Sequence, residues 1–395
     1  MENRKFDIVL FGSTGFTGGL TAEYFAANVD LKKVKWAIAG RNAEKLEAVK
    51  SNLVSINAAC SVVEILTCNS DDLASLENVT KQTKIIVTTV GPFAQHGETL
   101  VEACVNTATN YCDITGEPAF VKSVLKKHNK AAVEKGIYIL NCCGFDSIPA
   151  DAGALFTAMQ LPANETKTIK GFVSSNGTFS GGTFASAVGA MSDIGKNIFA
   201  PKKTSSDDTS SERKKPTKKR IKSQIHFEKS INKWALPMPV IDPWMVQRTS
   251  LYKPTVFGEN FEYAQFLALK SLPQTISLVG AVGALIVGAQ IPPIKNLILQ
   301  YRKSGEGPSK EQRDKSRFKL SFIGESETKK VMTTVSGGDP GYTETSKMLS
   351  ETALVLLENL GKLPIKGGVL TPAGTLGNLL IDRLNSKGIL FEVIS

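Results

Sequence analysis

The sequence is poor in the residue types that build metal sites and disulfide frameworks. It has three histidines and six cysteines in 395 residues, and all six cysteines fall within the first 143 residues without a Cys-x-x-Cys pair. Zinc sites and disulfide frameworks both depend on closely spaced or regularly spaced residues of these types. We therefore expect no metal site, no disulfide framework, and an intracellular protein with reduced thiols.

Long apolar runs are also scarce. The N-terminus enters an apolar strand without the pattern of a secretory signal. Residues 271–294 carry no charge, but their strongly apolar part, 276–289, is shorter than the roughly 20 residues of a spanning helix. Three interpretations stay open: a buried helix of a second domain with glycines at close packing positions, an element inserted into one leaflet or a lipid-droplet surface, and a full span.

Positive charge is present but concentrated in one place. Residues 201–222 hold nine basic and three acidic side chains, which accounts for +6 of the formal net charge of +10. No basic stripe is interleaved with aromatic residues, so a nucleic-acid partner is not expected. The stretch indicates an exposed flexible insertion, either simply solvated or attracted to anionic lipid.

A glycine-rich turn follows the first apolar strand. Residues 7–11 (DIVLF) predict a buried central strand, and a helix is expected to run to about Ala27. A strand, glycine turn and helix in this order place free backbone N–H groups where a dinucleotide pyrophosphate binds. The predicted cofactor-binding residues of the turn are Gly12, Ser13, Thr14, Gly15, Phe16, Thr17 and Gly18.

The second predicted strand, 35–39, ends at Gly40, Arg41 and Asn42. An NAD-binding protein usually has a carboxylate here for the ribose hydroxyls, whereas arginine can pair with the 2′-phosphate of NADP. Arg41 and Asn42 are therefore predicted cofactor residues, and NADP is favoured over NAD. The alternative is a solvated arginine before a helix that Asn42 caps.

Strands and helices continue to alternate, with strands expected at 62–67, 84–90 and 111–115. This alternation predicts a Rossmann-type, doubly wound parallel sheet. The turn Val90-Gly91-Pro92-Phe93 ends one strand at the edge of the sheet where ligands bind, so we expect the nicotinamide ribose nearby.

Five motifs coincide along the chain: GSTGFTG at 12–18, AGRN at 39–42, VGPF at 90–93, DITGE at 113–117 and GFDSIPAD at 144–151. Together with the C-terminal GGVLTPAGTLGNLLIDRLNSKGILFEVIS, they resemble the saccharopine dehydrogenase-like oxidoreductase family. The resemblance implies a second α/β domain with an open sheet, and an association with lipid droplets and membranes as in vertebrate members. It also implies a relation to bacterial trans-acting enoyl reductases of glycolipid synthesis.

The expected domains are a dinucleotide-binding domain over 1–150, completed by 366–395, and a second domain over 151–365. The second domain would contain the basic insertion at 201–222 and the uncharged segment at 271–294. Its expected elements are strands at 169–174, 318–323 and 330–335 and a helix at 343–360, and a glycine-rich stretch at 177–183 is either a phosphate loop or a helix entry.

Candidates for proton transfer follow the fourth, fifth and sixth predicted strands of the first domain. They are His96, Asp113, Asp146 and Ser147, with Thr115, Glu117 and Asp151 nearby. Asp113 and Glu117 are also suited to capping the next helix, Asp146 and Ser147 to starting one, and His96 to an ordinary surface position. No motif supplies the lysine and histidine of true saccharopine dehydrogenases.

The leading hypothesis is an NADP-dependent oxidoreductase of lipid or glycolipid metabolism at a lipid-droplet or membrane surface, and otherwise a cytoplasmic protein. We expect a small-molecule or lipid substrate, surface contact through 271–294, no nucleic acid, and leave a homodimer open. The alternatives are a non-catalytic lipid-surface protein that retains the dinucleotide fold, and a saccharopine reductase of lysine metabolism.

Overall fold

A computed structural model describes residues 4–177, 221–288 and 307–395. Most of the basic stretch 201–222, residues 289–294 of the uncharged segment, and residues 178–183 of the glycine-rich stretch lie outside the described residues. The described chain forms two seven-stranded sheets. All six cysteines are buried free thiols.

The first sheet has the strand order β13-β6-β5-β4-β1-β2-β3, and all its strands are parallel. Its strands are β1 (Phe6–Phe11), β2 (Trp36–Gly40), β3 (Glu64–Thr67), β4 (Thr83–Thr88), β5 (Asn110–Asp113), β6 (Tyr138–Leu140) and β13 (Gly368–Leu370). The chain winds outward from β1 in one direction through β2 and β3, and in the other through β4 to β6. The predicted doubly wound sheet is confirmed.

Helices connect these strands, as parallel neighbours require. They are α1 (Phe16–Asn28), α2 (Ala43–Ile56), α3 (Leu73–Thr80), α4 (Phe93–His96), α5 (Glu98–Asn106) and α6 (Pro118–Lys135). A short 3-10 helix, Ala58–Val62, precedes β3. The inner strand β1 is buried except at Asp7, which explains its nearly continuous apolar sequence.

The second sheet is mixed and has the order β14-β12-β11-β7-β10-β9-β8. Its strands are β7 (Thr168–Ser175), β8 (His226–Glu228), β9 (Lys233–Pro237), β10 (Glu262–Leu269), β11 (Phe318–Glu325), β12 (Lys330–Gly337) and β14 (Leu390–Val393). Only β7 and β10 pair in parallel, and the other neighbours are antiparallel. The expected second domain with a sheet of its own is therefore present.

The remaining helices surround and connect the sheets. They are α7 (Ile148–Met159), α8 (Asp242–Tyr252), α9 (Pro254–Phe257), α10 (Leu272–Gly288), α11 (Lys310–Lys315), α12 (Thr343–Glu358), α13 (Pro372–Leu376) and α14 (Asn378–Ser386), with a 3-10 turn at Lys229–Ile231. Helix α7 packs on the second sheet, and Gly153 allows the approach. A Cβ at Gly153 would lie 2.5 Å from the ring of Phe322.

The two domains exchange segments more often than the sequence suggested. The expectation assigned 366–395 as a whole to the first domain, but β13 lies in the first sheet and β14 pairs with β12 of the second. Helix α12, from the expected second domain, packs on α1, where the Ser346 hydroxyl donates to the Thr17 carbonyl over 3.2 Å. The domain boundary near residue 150 stays a prediction.

Helix α10 contains most of the uncharged segment, and it is not buried. Ile276 is 62% exposed and Val287 is 53% exposed. A Cβ at Gly280 or Gly283 would meet no atom within 4 Å. The interpretation as a buried helix with closely packed glycines is therefore wrong for the described part of the segment. Among the described residues, no helix has the length and apolar character needed to cross a membrane.

Candidate cofactor and reaction site

The glycine turn between β1 and α1 has little room for side chains. Gly12 has a φ of +95°, which favours glycine, and a Cβ there would lie 2.6 Å from Cγ2 of Val90. A Cβ at Gly18 would collide with the carbonyl of Gly12. These two glycines therefore let the turn bend tightly and let α1 approach β1 and β4 closely.

The outer side of the same turn is open and offers donors. Thr14 and Gly15 are exposed, and Gly15 begins α1 without a side-chain hydrogen bond to the first-turn N–H groups. The Ser13 hydroxyl is buried and has no hydrogen-bond partner among the described residues. Unpaired donors at a helix N-terminus suit a phosphate, so the turn fits the pyrophosphate of a dinucleotide.

Arg41 and Asn42 follow β2 and have different environments. Arg41 is exposed and forms no ion pair or hydrogen bond within the described part of the chain. The Asn42 side-chain oxygen accepts a 2.8 Å hydrogen bond from the N–H of Lys45 and so caps α2. Arg41 is available for a 2′-phosphate, whereas the Asn42 oxygen is already used in the helix cap.

Glu117 holds the Val90–Phe93 turn in place. Its two carboxylate oxygens accept 2.9 Å hydrogen bonds from the N–H groups of Phe93 and Ala94, the first residues of α4. The sequence suggested that Glu117 caps the helix that follows it, and the structure shows that it caps α4 instead. This is because β4 and β5 are neighbours, so the turns after them meet at one edge of the sheet.

His96 ends α4 on the side facing Asp71. Its Nδ1 lies 3.5 Å from the Asp71 carboxylate, in the turn before α3. The sequence grouped His96 with Asp113 and Asp146 only as residues near one sheet edge. A pairing with Asp71 agrees with the surface-histidine alternative.

Asp113 is enclosed at the end of β5. Its carboxylate accepts hydrogen bonds from the N–H groups of Thr115 and Cys142, both at 3.0 Å, and from the Asn141 amide at 2.7 Å. Burial raises its pKa to about 6, although these hydrogen bonds favour the charged form. A fully buried carboxyl with this many partners fixes the turns after β5 and β6, and it offers no surface to a substrate.

Asp146 and Ser147 lie at the start of α7, beside Asp242 of the second domain. Asp146 is exposed, and a Cβ at Gly116 would lie 2.9 Å from its carboxylate. The protein around Asp146 raises its pKa by desolvation. Ser147 is buried near Asp242, and its side chain favours the charged form of the Asp242 carboxyl. The Ser147 hydroxyl makes no hydrogen bond of normal geometry among the described residues.

Asp242 is the second carboxyl of this group. It accepts a hydrogen bond from the Gln265 amide, and its other oxygen is buried without a partner in the described chain. Burial, and then the charge of Asp146, raise its pKa to about 7. The charge of Asp146 therefore disfavours ionisation of Asp242, so that Asp242 retains its proton up to about neutral pH. The exposed Asp146 side chain lies beside this buried protonated carboxyl.

Asp151 lies one turn further along α7 and has a structural role. It accepts hydrogen bonds from the Thr249 hydroxyl at 2.5 Å and from the Ala373 N–H at 3.1 Å. Burial raises its pKa to about 7. These bonds join α7, α8 and α13.

Asp242 was absent from the candidates found in the sequence. It is followed by Pro243 at the beginning of α8, which repeats the pattern of an acidic residue and a proline seen at Asp146 to Pro149. That shared pattern was the available signal. The pattern marks the beginning of a helix, but it does not indicate which parts of the sheet that helix will lie against.

Residues 8–140 match the saccharopine dehydrogenase NADP binding domain family. The mouse saccharopine dehydrogenase-like oxidoreductase is 30% identical, with 100% of this chain and 98% of that protein covered. A Mycobacterium tuberculosis protein named as a trans-acting enoyl reductase is 32% identical, with 98% and 97% covered. The lipid droplet localized protein of Caenorhabditis elegans is 29% identical, with 99% of each chain covered.

Among solved structures, apo saccharopine dehydrogenase (L-Glu forming) from Saccharomyces cerevisiae is similar, with a TM-score of 0.55 at 12% identity. It covers 99% of this chain and 100% of its own, and at this identity the likeness concerns the fold alone. The family resemblance, the NADP cofactor and the oxidoreductase class are confirmed. The residue assignments within the site stay predictions.

Proposed function

We propose that this chain, which belongs to the saccharopine dehydrogenase-like oxidoreductase family, transfers hydride between NADP(H) and a lipid substrate at a lipid-droplet or membrane surface. The observation that carries the proposal is that helix α10 is both apolar and exposed. Seventeen residues, Leu272–Gly288, contain no charge, and Ile276, Val279 and Val287 are 43% to 62% exposed. An exposed apolar surface of this kind marks a contact with lipid or another apolar partner.

The length and position of α10 favour insertion into one side of a lipid layer. Thr275 is buried, while most other described side chains of the helix are exposed or only partly buried. Within the described residues, the helix contacts the second sheet at β9 and β10, and its exposed side chains are available to lipid. The name of the Caenorhabditis elegans relative supports a lipid droplet as the surface.

The cofactor would be held by the turn at Gly12–Gly18, with Arg41 at the adenosine end and the Val90–Phe93 turn at the nicotinamide end. Bound NADP(H) supplies hydride transfer. Glu117 fixes the Val90–Phe93 turn, and Asp113 fixes the neighbouring turns after β5 and β6. These carboxylates position the backbone that would contact the cofactor.

Asp146 is the proposed proton donor in the reducing direction. Its side chain is exposed, desolvation raises its pKa, and it lies beside the buried Asp242 carboxyl. When hydride adds to one carbon of a C=C or C=O bond, the electron pair of the broken π bond moves to the neighbouring carbon or to the oxygen, and that atom takes the proton. The name of the Mycobacterium tuberculosis relative favours an unsaturated acyl chain as the kind of substrate.

The lipid-surface part of the proposal is tested by flotation with phospholipid-coated triolein droplets. The variant is Ile276→Glu/Val279→Glu, and the matched control is Val62→Glu, a 69% exposed apolar residue of the first domain. Burying two large apolar side chains contributes about 3 kcal/mol or more, so the double variant should float at least tenfold less. The control should float like the unmodified protein. Equal flotation of all three proteins would refute the role of α10.

A further inference from the structure

A segment of the second domain crosses to the glycine turn of the first. Residues 307–317 precede β11, and Gly307 packs so closely on the ring of Phe16 that a Cβ there would collide with it. The same ring meets Tyr342 edge-on, with the ring centroids 5.1 Å apart. Phe16 of the predicted cofactor turn is therefore enclosed by two elements from the second domain.

This crossing segment has a defined local structure. Helix α11 begins with a capping box in which the Ser309 hydroxyl accepts from the N–H of Gln312, and the Gln312 side chain accepts from the N–H of Ser309. Arg313 Nη1 donates a 2.8 Å hydrogen bond to the carbonyl of Pro308. These contacts fix the direction in which the Arg313 side chain leaves the helix.

The Arg313 guanidinium lies over Phe16, with its Cζ 5.4 Å from the ring centroid. It lines a cavity of about 470 Å³ together with Ser13, Thr14 and Gly15, which belong to the glycine turn. The remaining lining comes from Phe16, from Gly19, Leu20 and Glu23 of α1, and from Ala48, Val49 and Asn52 of α2. The cavity therefore lies on the side of the turn that faces α2, which is the helix after Arg41.

Arg313 has an acidic neighbour in sequence, Asp314, but it forms no ion pair with it. Within the described residues, Arg313 has no carboxylate within ion-pairing distance. Glu23 is the acidic side chain that lines the cavity, and it accepts from the Asn52 amide at 2.9 Å. The buried Ser13 hydroxyl, which lines the cavity, also lacks a partner. A guanidinium without a carboxylate partner and an unpaired hydroxyl beside a helix N-terminus are donors that suit a phosphate.

We propose that Arg313 binds a phosphate group of NADP(H), so that the second domain contributes directly to the cofactor site. This inference rests on the proposed use of NADP(H), and it adds a residue almost 300 positions away from the glycine turn. Arg313 would approach the phosphate from above Phe16, on the side opposite the backbone donors of the turn. Cofactor binding would then fasten the second domain onto the first.

The test titrates the full chain with NADPH and, separately, with NADH. The fluorescence of the reduced nicotinamide reports binding in both titrations. In Arg313→Gln, loss of a charge-assisted bond should weaken NADPH binding about 10- to 100-fold. Arg313→Lys, which keeps the charge, should recover part of the loss. The matched control is Arg317→Gln, because Arg317 lies one turn further on, is exposed, donates to the Asp314 and Ser316 carbonyls, and does not line this cavity.

The two cofactors separate the phosphates. A loss for NADPH alone would place Arg313 on the 2′-phosphate, and an equal loss for both would place it on the pyrophosphate. Both results support the proposal. Arg41→Asp is the reference for a 2′-phosphate effect, since it should weaken NADPH binding while NADH binding is retained or gained.

Unchanged binding of both cofactors by Arg313→Gln would overturn the inference while the proposed function stands. If the unmodified protein bound neither cofactor, the proposed function itself would fail. Thermal unfolding of each variant without cofactor separates a binding defect from a folding defect. If Arg313→Gln is destabilised, the binding data for Arg313→Lys are used instead. An Arg313→Lys protein that has normal stability and normal NADH affinity but weakened NADPH affinity would still require a contact between Arg313 and a phosphate.

Discussion

Helices α7 and α10 are both rich in apolar residues, but they have opposite surroundings. Ten of the twelve residues of α7 are buried between the second sheet and helices α8 and α13. In α10, which is longer and carries no charge at all, the large side chains Leu272, Ile276, Val279 and Val287 are exposed. Apolar composition therefore shows that a helix needs a non-aqueous neighbour, and the fold decides whether the protein supplies it.

The glycines of the two helices also differ in how closely other atoms pack against them. Gly153 of α7 is required because the rings and methyl groups of Phe322 and Val335 occupy the space of a side chain. Gly280 and Gly283 of α10 face open space. The sequence suggested close packing for the glycines of the uncharged segment, whereas the structure shows it at Gly153.

The largest expected difference is between Gly153→Val and Gly280→Val. Valine at 153 would place carbon atoms against the ring of Phe322, and overpacking of a tight core costs about 1–3 kcal/mol or more in the free energy of unfolding. Valine at 280 should change it by less than about 0.5 kcal/mol, as at other exposed positions. Urea unfolding of both variants measures this. Equal destabilisation would mean that part of the protein covers α10 in solution.

The next effect concerns pH, because α7 has a buried titratable group and α10 has none. The pKa of Asp151 is about 7 in the folded protein and about 3.9 in an unfolded chain, so the folded state binds more protons between these values. The free energy of unfolding should therefore be highest at the acidic end of this window and fall as pH rises from about 4 to 7. Asp113 and Asp242 act in the same direction.

Thermal unfolding of the unmodified protein and Asp151→Asn at several pH values checks this prediction. The variant should be less stable overall, because an amide cannot accept both hydrogen bonds that Asp151 accepts. Its stability should also depend less on pH. An identical pH slope in the two proteins would show that Asp151 ionises normally.

The smallest expected difference in the free energy of unfolding is between variants of two buried threonines. The Thr157 hydroxyl of α7 bonds to the Gly153 carbonyl at 2.7 Å and to the Thr333 hydroxyl at 2.6 Å. Among the described residues, the Thr275 hydroxyl of α10 bonds to a single partner, the carbonyl of Ser271 just before the helix, at 3.0 Å. Thr157→Val should cost about 1 kcal/mol, and Thr275→Val less than half of that. A larger loss from Thr275→Val would indicate a second partner for that hydroxyl.

The first sheet could be predicted from the sequence because its signals are local. Five of its seven strands were predicted as short apolar runs followed by a turn and a helix, and their predicted ends lie within two residues of the observed ends. No bounds were predicted for β6 and β13. The glycine turn was predictable for the same reason. Gly12 and Gly18 are needed by contacts with residues near in sequence or on the neighbouring strand.

The contacts between distant segments could not be predicted. Glu117 caps α4 and not its own helix because the strands before them are neighbours in the sheet. Asp242 reaches Asp146, and Arg313 reaches Phe16, only after the second domain folds onto the first. The split of the C-terminal segment between two sheets has the same cause, since an apolar strand does not specify which edge it joins.

The proposed transfer of hydride to a lipid is measured most directly by following the hydride itself. NADPH carrying deuterium at C4, prepared in both stereochemical forms, is incubated with the full chain and phospholipid-coated droplets loaded with a cellular lipid extract. We expect deuterium in a lipid product with one of the two forms, and less of it with Ile276→Glu/Val279→Glu. A protein that binds NADPH and the droplets, yet transfers deuterium from neither form to any lipid, would contradict it.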